Sequence, residues 1–197
     1  MNDRALSDLR APELRAIVLG GSAGGIEAVG TLLGALPTSL GVPVLVALHI
    51  KAGSNAHWPL VFRGSRAPVY EAEDDELARP GCVYVAPPDY HLLVDVDSRL
   101  SLSADERVNM ARPSLDVLFE SAAWAYERGV LGVILTGANA DGAAGLAAIR
   151  AHGGRAWVQA PDTASAPMMP RSALAAVPDA LVLSIGEMAA ALSSWVP

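Results

Sequence analysis

The sequence predicts an α/β fold: a three-layer, doubly wound, mostly parallel sheet of Rossmann-like type, with an antiparallel hairpin region at one side. Three observations predict it. Short, continuously apolar runs stand where strands buried on both faces are expected. Between them apolar residues recur at three- and four-residue spacings, the period of an amphipathic helix. The first two apolar runs are separated by a stretch of about two dozen residues, which suits a parallel strand reached by a helical crossover.

The first strand is read at Arg15-Ala16-Ile17-Val18-Leu19-Gly20, stopping at a glycine cluster. A helix follows from Gly25 to Leu36, with Ile26, Val29, Leu32, Leu33 and Leu36 on one stripe and Pro37 as its end. Pro43 to Leu48 is the second buried strand. The middle of the chain differs. Val69 to Ala72 reads as a strand, and Cys82 to Ala86, His91 to Val96 and Leu100 to Leu102 read as hairpin strands, separated by Pro-Gly, Pro-Pro-Asp and Asp-Ser turn signals. Alternation resumes after Pro113 with a helix to about Arg128, a strand over Leu131–Thr136, a helix over Gly142–His152 and a strand over Arg155–Gln159. Arg171–Val177, Ala180–Leu183 and Glu187–Trp195 complete the chain as helix, strand and helix.

The length of 197 residues fits one domain, read here as residues 15–197 behind a polar N-terminal tail of residues 1–14. Hydrophobic residues make up 52% and charged residues 18%, so the chain can bury a full core and lacks the composition of disorder. A net charge of -7 repels phosphate backbones and anionic lipid, which argues against nucleic acid or a membrane surface as partner. Cys82 is the single cysteine, so an intramolecular disulfide and a thiolate metal cluster are excluded. Residues 1–14 contain no continuous apolar segment of the secretory kind, and the apolar stretch 131–149 is interrupted by Asn139, Asp141 and four glycines. The expectation is a cytoplasmic protein with no membrane insertion.

Ligands of open parallel sheets gather outside the carboxyl ends of the strands. Past the first strand stands Gly20-Gly21-Ser22-Ala23-Gly24-Gly25, past the second His49, and past the strand ending at Thr136 stands Gly137-Ala138-Asn139-Ala140-Asp141-Gly142. Ser22 sits at a strand-to-helix turn among small neighbours, as a nucleophile does, but it equally suits a helix cap or a phosphate site. His49 belongs to the residue type that exchanges a proton near neutral pH, and can act as base toward Ser22 or be a structural histidine. Asp141 orients that imidazole or caps the following helix. A dinucleotide site fits less well: counting from Gly20 puts Ser22 where the second glycine of Gly-x-Gly-x-x-Gly belongs, and Leu48-His49 brings no carboxylate for a ribose. A nucleotide- or phosphate-binding domain is the alternative reading, and a catalytically silent signalling module the third.

These residues resemble the catalytic domain of the CheB family, chemotaxis-type protein-glutamate methylesterases. The resemblance rests on Gly20–Gly25, His49, Glu71-Ala72-Glu73-Asp74, Pro80-Gly81, Tyr84-Val85-Ala86-Pro87, Arg112-Pro113-Ser114-Leu115-Asp116-Val117-Leu118-Phe119 and Leu135–Gly145, and it runs from about Arg15 to the end. It implies hydrolysis of γ-glutamyl methyl esters on methyl-accepting chemoreceptors, with release of methanol and, in some members, deamidation of receptor glutamines. Ser22 is then nucleophile, His49 base and Asp141 its orienting carboxylate, with no metal and no organic cofactor. The family usually carries a receiver domain ahead of the esterase. With about fourteen residues before the first strand, the expectation is a stand-alone esterase that no phosphoryl group on its own chain controls, leaving control to a separate regulatory protein, expression or receptor conformation. Two local departures stand out. Ile50–Trp58 replaces a Pro-rich turn and helix, and Gly137-Ala138-Asn139 replaces Gly-Met-Gly beside the site.

Other polar residues have plainer readings. His57, His91 and His152 match no short metal-ligand spacing. The acidic run Glu71–Glu76 reads as a solvated loop. Arg112 reads as an anchor for a helix start or a carboxylate, and both it and Arg171 are candidates for steering an acidic receptor segment. Met168 and Met169 are expected to line the cleft or to pack.

Overall fold

The computed structural model describes residues 2–11, 13–37, 39–51, 53–54 and 57–195. Of the divergent segment 50–58, Ala52, Asn55 and Ala56 therefore lie outside the described residues, as do Met1 and Pro12 of the N-terminal segment. The strands are β1 (Ala16–Gly21), β2 (Val44–Leu48), β3 (Val69–Glu71), β4 (Val83–Val85), β5 (His91–Val94), β6 (Leu100–Ser103), β7 (Val130–Ile134), β8 (Arg155–Gln159) and β9 (Leu181–Leu183). The helices are α1 (Asp3–Leu9), α2 (Gly25–Gly34), α3 (Trp58–Val61), α4 (Leu115–Tyr126), α5 (Ala143–Ala151), α6 (Met168–Ala176) and α7 (Ile185–Ser193).

Seven strands form one parallel sheet in the order β3-β4-β2-β1-β7-β8-β9, and β5 and β6 pair antiparallel apart from it. β1, β2, β4 and β7 are buried at every position, because each is covered on both faces. One face packs on α1, α2 and α7 through Leu6, Leu9, Val29, Leu32, Leu33, Met188 and Leu192. The other packs on α4, α5, α6 and the β5–β6 hairpin through Leu115, Leu118, Phe119, Leu146, Ile149, Met169, Leu92 and Leu100. This is the three-layer, doubly wound arrangement expected, with its hairpin at one side.

Two expectations are corrected. Val83-Tyr84-Val85 is not a hairpin strand: it pairs in parallel with both β2 and β3, inside the main sheet. Three residues are too few to show alternation, and their uniform burial is the mark of a parallel strand. Residues 1–14 are not simply a polar tail. Asn2 caps α1 by accepting from the amides of Arg4 and Ala5, and Ala5, Leu6 and Leu9 turn a short apolar stripe into the core. Asp8 accepts from the Trp157 indole at 2.8 Å and Glu13 from Arg155 at 2.9 Å, which ties the segment to β8.

Candidate active site

The order β2-β1-β7 places three neighbouring strand ends together where the chain's winding reverses, the usual position of a site in an open sheet. Backbone bonds lace these ends. The Ser22 amide donates to the Thr136 carbonyl at 2.9 Å and the His49 amide to the Gly21 carbonyl at 3.1 Å. Ser22, His49 and Asp141 thus share one edge.

The bland roles of Ser22 and Asp141 belong to glycines instead. Gly24 is the N-cap of α2 at φ 78 and Gly142 that of α5 at φ 90, a left-handed backbone that favours a residue without Cβ. Neither helix start receives a side-chain cap. The Ser22 hydroxyl, half-buried, makes no hydrogen bond among the described residues, with His49 or any other group. Its carbonyl accepts from Gly25 at 2.7 Å, closing the turn. The amides of Ala23 and Gly24 are likewise without a partner among the described residues, at exposed positions ahead of α2.

His49 and Asp141 are joined. The imidazole Nε2 lies 2.7 Å from Asp141 Oδ2, with the imidazole side chain 13% exposed and the carboxylate fully buried. A ring nitrogen this close to a carboxylate oxygen must donate, so Nε2 carries the proton and Nδ1 is left as acceptor. The usual Ser-His-Asp arrangement has Nδ1 toward the carboxylate and Nε2 toward the nucleophile; here the ring is used the other way round. The Asn139 amide stands 3.5 Å from Nδ1.

Asp141 is surrounded by donors. Besides His49, Oδ2 accepts from the Leu115 amide at 2.7 Å. Oδ1 accepts from Asn109 Nδ2 at 2.9 Å, Ser114 Oγ at 2.8 Å and the Asp116 amide at 3.3 Å. The carboxylate therefore caps α4, not α5, taking the first-turn amides that Ser114, the formal N-cap, leaves unbonded. Burial alone pushes this carboxyl up, but the hydrogen bonds from His49, Asn109, Leu115 and Ser114 outweigh it and bring it from the ordinary 3.8 down to about 2. Asp116 goes the other way, raised by burial and by the neighbouring Asp141 charge against the hydrogen bond from Gly145.

A pH signature follows. A lowered carboxyl contributes stability above its unfolded value of 3.8 and loses it as pH falls through about 2. Asp116, being raised, contributes in the opposite sense, so total stability mixes the two. Comparing the wild type with Asp141→Asn follows the first, together with the smaller change it makes in Asp116 through the lost neighbouring charge. The stability gap between them, read by denaturant unfolding, should shrink by on the order of 2 kcal/mol between about pH 4 and pH 2. A gap that stays constant across that window counts against an ionised, donor-held Asp141.

Asn109, Ser114 and Asp116 carry no role in the reading of the sequence. Their only local signal is a polar Ser-x-Asp at a helix start after Pro113, and the partner they meet lies far along the chain. Arg112 is a carboxylate anchor: Nη2 pairs with Asp89 at 3.0 Å and Nη1 donates to the Asp105 carbonyl at 2.8 Å. His91 is structural, accepting at Nδ1 from the Ser114 amide at 3.1 Å and donating at Nε2 to the Glu106 carbonyl at 3.1 Å. His152 lies against Trp124 in a tilted contact, ring centroids 4.9 Å apart, and His57 stands at the start of α3. Arg171 lines an open groove of about 510 Å³ with Ala138, Pro167 and Met168, while Met169 is buried beneath Gly137.

Comparison with known proteins gives the family. The CheB methylesterase family model matches residues 17–192. A Leptospira interrogans protein provisionally designated protein-glutamate methylesterase/protein-glutamine glutaminase is 50% identical over 175 residues, covering 88% of this chain and 91% of that protein. The protein-glutamate methylesterase FrzG of Myxococcus xanthus is 38% identical over 190 residues, which span 94% of this chain and 56% of FrzG. Among solved structures, the catalytic domain of the Thermotoga maritima CheB methylesterase superposes with a TM-score of 0.86 at 28% identity, over 93% of this chain and 99% of that one. By family model, relatives and fold together, the chain belongs to the CheB methylesterase family.

Proposed function

We propose that the chain hydrolyses γ-glutamyl methyl esters on methyl-accepting chemoreceptors in the cytoplasm, with Ser22 as nucleophile, His49 as base and Asp141 as its orienting carboxylate. The observation that carries this reading is the 2.7 Å bond between His49 Nε2 and a buried, ionised Asp141, at the strand end beside a serine whose hydroxyl is unengaged. His91, by contrast, spends both ring nitrogens on backbone groups at 3.1 Å, whereas Nδ1 of His49 has among the described residues only the long 3.5 Å approach of the Asn139 amide.

In the first half-reaction Ser22 Oγ bonds to the ester carbonyl carbon while its proton passes to His49 Nδ1. The imidazolium that forms is stabilised by Asp141 through Nε2. The developing oxyanion is met by the amides of Ala23 and Gly24, which precede α2 and have no partner of their own among the described residues. Collapse breaks the carbon–methoxy bond, and the methoxy oxygen takes the proton from Nδ1 and leaves as methanol. Water then attacks the γ-glutamyl ester of Ser22, giving its proton to His49. Collapse restores the serine and frees the glutamate carboxylate. With a glutamine side chain the same steps release ammonia.

The open groove beside Ala138, with Arg171 at its wall, supports docking of a receptor segment rich in glutamate and glutamine. The test is methanol release from membranes bearing receptors methylated with a labelled methyl group. Addition of the chain should release volatile label in proportion to enzyme, without added metal or cofactor. Absence of release, together with thermal stabilisation by nucleotides, would move the chain to the nucleotide-binding reading.

A further inference from the structure

The segment from Ala104 to Arg112 has no part in the proposed chemistry, yet it is held in an unfavourable conformation against the site. Asn109 and Met110 follow one another at φ 51 and φ 64, a left-handed region that asparagine tolerates and methionine does not. The turn is closed by mutual backbone bonds between Val108 and Ala111, at 3.2 and 2.9 Å. Its tip, Met110, is 89% exposed, so burial of that side chain does not hold the turn. What the conformation does is carry the Asn109 side chain inward. Its Nδ2 donates to Asp141 Oδ1 at 2.9 Å and to Asp116 Oδ2 at 2.7 Å.

Two buried carboxylates therefore face one amide nitrogen. The side chains that hydrogen-bond to Asp141 are His49, Asn109 and Ser114, and none of them is a lysine or arginine. On Asp116 the donors include Asn109, the Gly145 amide at 2.7 Å and the Gly142 amide. Glu120, one turn further along α4, is the other acidic group close enough to raise the local negative potential. Two like charges at this separation favour a shared proton or a turned carboxylate, and either would take Asp141 out of the plane that holds His49.

We infer that Asn109 is a positioning residue of the triad: its amide donates one hydrogen to Asp141 and the other to Asp116, fixing the Asp141 carboxylate and through it the imidazole. Strain in the turn is the conformational cost of delivering that amide. The inference rests on the esterase reading for its kinetic consequence, but not for its structural one.

The test separates the amide from the turn. Asn109→Gly keeps a residue at ease at positive φ and removes both donors. For that variant kcat should fall about 10- to 100-fold, the loss expected for one hydrogen bond to a charged group, with KM within about twofold. In parallel, the His49 ring is titrated by NMR in the same protein, its signal assigned by its loss in His49→Gln. Losing the donor that fixes Asp141 should move the His49 titration away from that of the wild type. Asn109→Asp, nearly the same shape and also tolerant of the left-handed region, exchanges a donor for an acceptor and should move both readouts at least as far.

A folded variant with wild-type kcat and wild-type titration overturns the inference. So does loss of folding in both variants, since the amide would then be a structural requirement rather than a positioning one. If the wild type released no methanol the esterase reading would fail, while the NMR titration would still decide whether Asn109 positions His49.

Discussion

Ser22→Ala should abolish methanol release and leave the fold unchanged. The two halves of that expectation come from the same geometry. Everything that holds the turn after β1 is backbone: the Ser22 amide on Thr136, the Ser22 carbonyl on Gly25, and the left-handed Gly24 that starts α2. Alanine supplies all of these bonds and fits the same space. The hydroxyl, by contrast, has no structural partner among the described residues, so its removal costs the fold little and the chemistry its nucleophile. The loss in kcat should be on the order of 10⁴-fold or more, because residues that act as one unit fail together. The measurement is labelled methanol release from methylated receptor membranes, alongside a thermal melt of the same preparation. Retention of more than about a tenth of wild-type activity would remove Ser22 as nucleophile, and a large drop in melting temperature would show that the hydroxyl had a structural role after all.

The strand ends could be read before the structure because the pattern there is local. Ile17, Val18 and Leu19 run unbroken into Gly20, and a uniformly apolar strand that stops at glycine has few other interpretations. Serine, histidine and aspartate past three such strands then point to one sheet edge. The sequence could not decide between capping and chemistry for Ser22 and Asp141, since Asp, Ser and Gly all suit helix starts; the structure gives the caps of α2 and α5 to Gly24 and Gly142 and sets Asp141 on the first amides of α4. β4 was missed as a parallel strand because three residues show no period. α1 was missed because Asp3, Arg4, Asp8 and Arg10 around Ala5, Leu6 and Leu9 mask its stripe. Asn109, Ser114 and Asp116 were out of reach for a different reason. Their function is defined by Asp141, between 25 and 32 residues away in sequence, and only the packing of α4 against the β7 end brings them together. The orientation of the His49 ring was likewise invisible, since the sequence offers the histidine but not which of its nitrogens meets Asp141.

That orientation determines what Asp141→Asn should do. All five groups around the carboxylate are hydrogen-bonded to it as donors: His49 Nε2 and the Leu115 amide on Oδ2, and Asn109 Nδ2, Ser114 Oγ and the Asp116 amide on Oδ1. An asparagine must turn its own NH₂ toward one of these sets. Toward the Oδ1 side it would confront the Asp116 amide, which cannot reverse, and Asn109, which could do so only by turning its oxygen onto the Asp116 carboxylate. Toward the Oδ2 side it confronts the Leu115 amide and His49, and an imidazole can move its proton to the other nitrogen. The amide will therefore face His49, whose Nε2 becomes the acceptor and whose Nδ1 takes the proton. Nδ1 is the atom left to receive the Ser22 proton, and once protonated it can no longer do so. The expected fall in kcat is about 10³- to 10⁴-fold from the wrong tautomer, smaller than for Ser22→Ala because nucleophile and oxyanion donors remain. His49→Gln should lose at least as much and should also flatten the rise of kcat/KM that an imidazole base produces between about pH 6 and 8. Both variants are read by initial rates across that range on the same methylated membranes. Near-normal activity in Asp141→Asn would return Asp141 to the role of a cap for α4, and a flat wild-type profile would take His49 out of the mechanism.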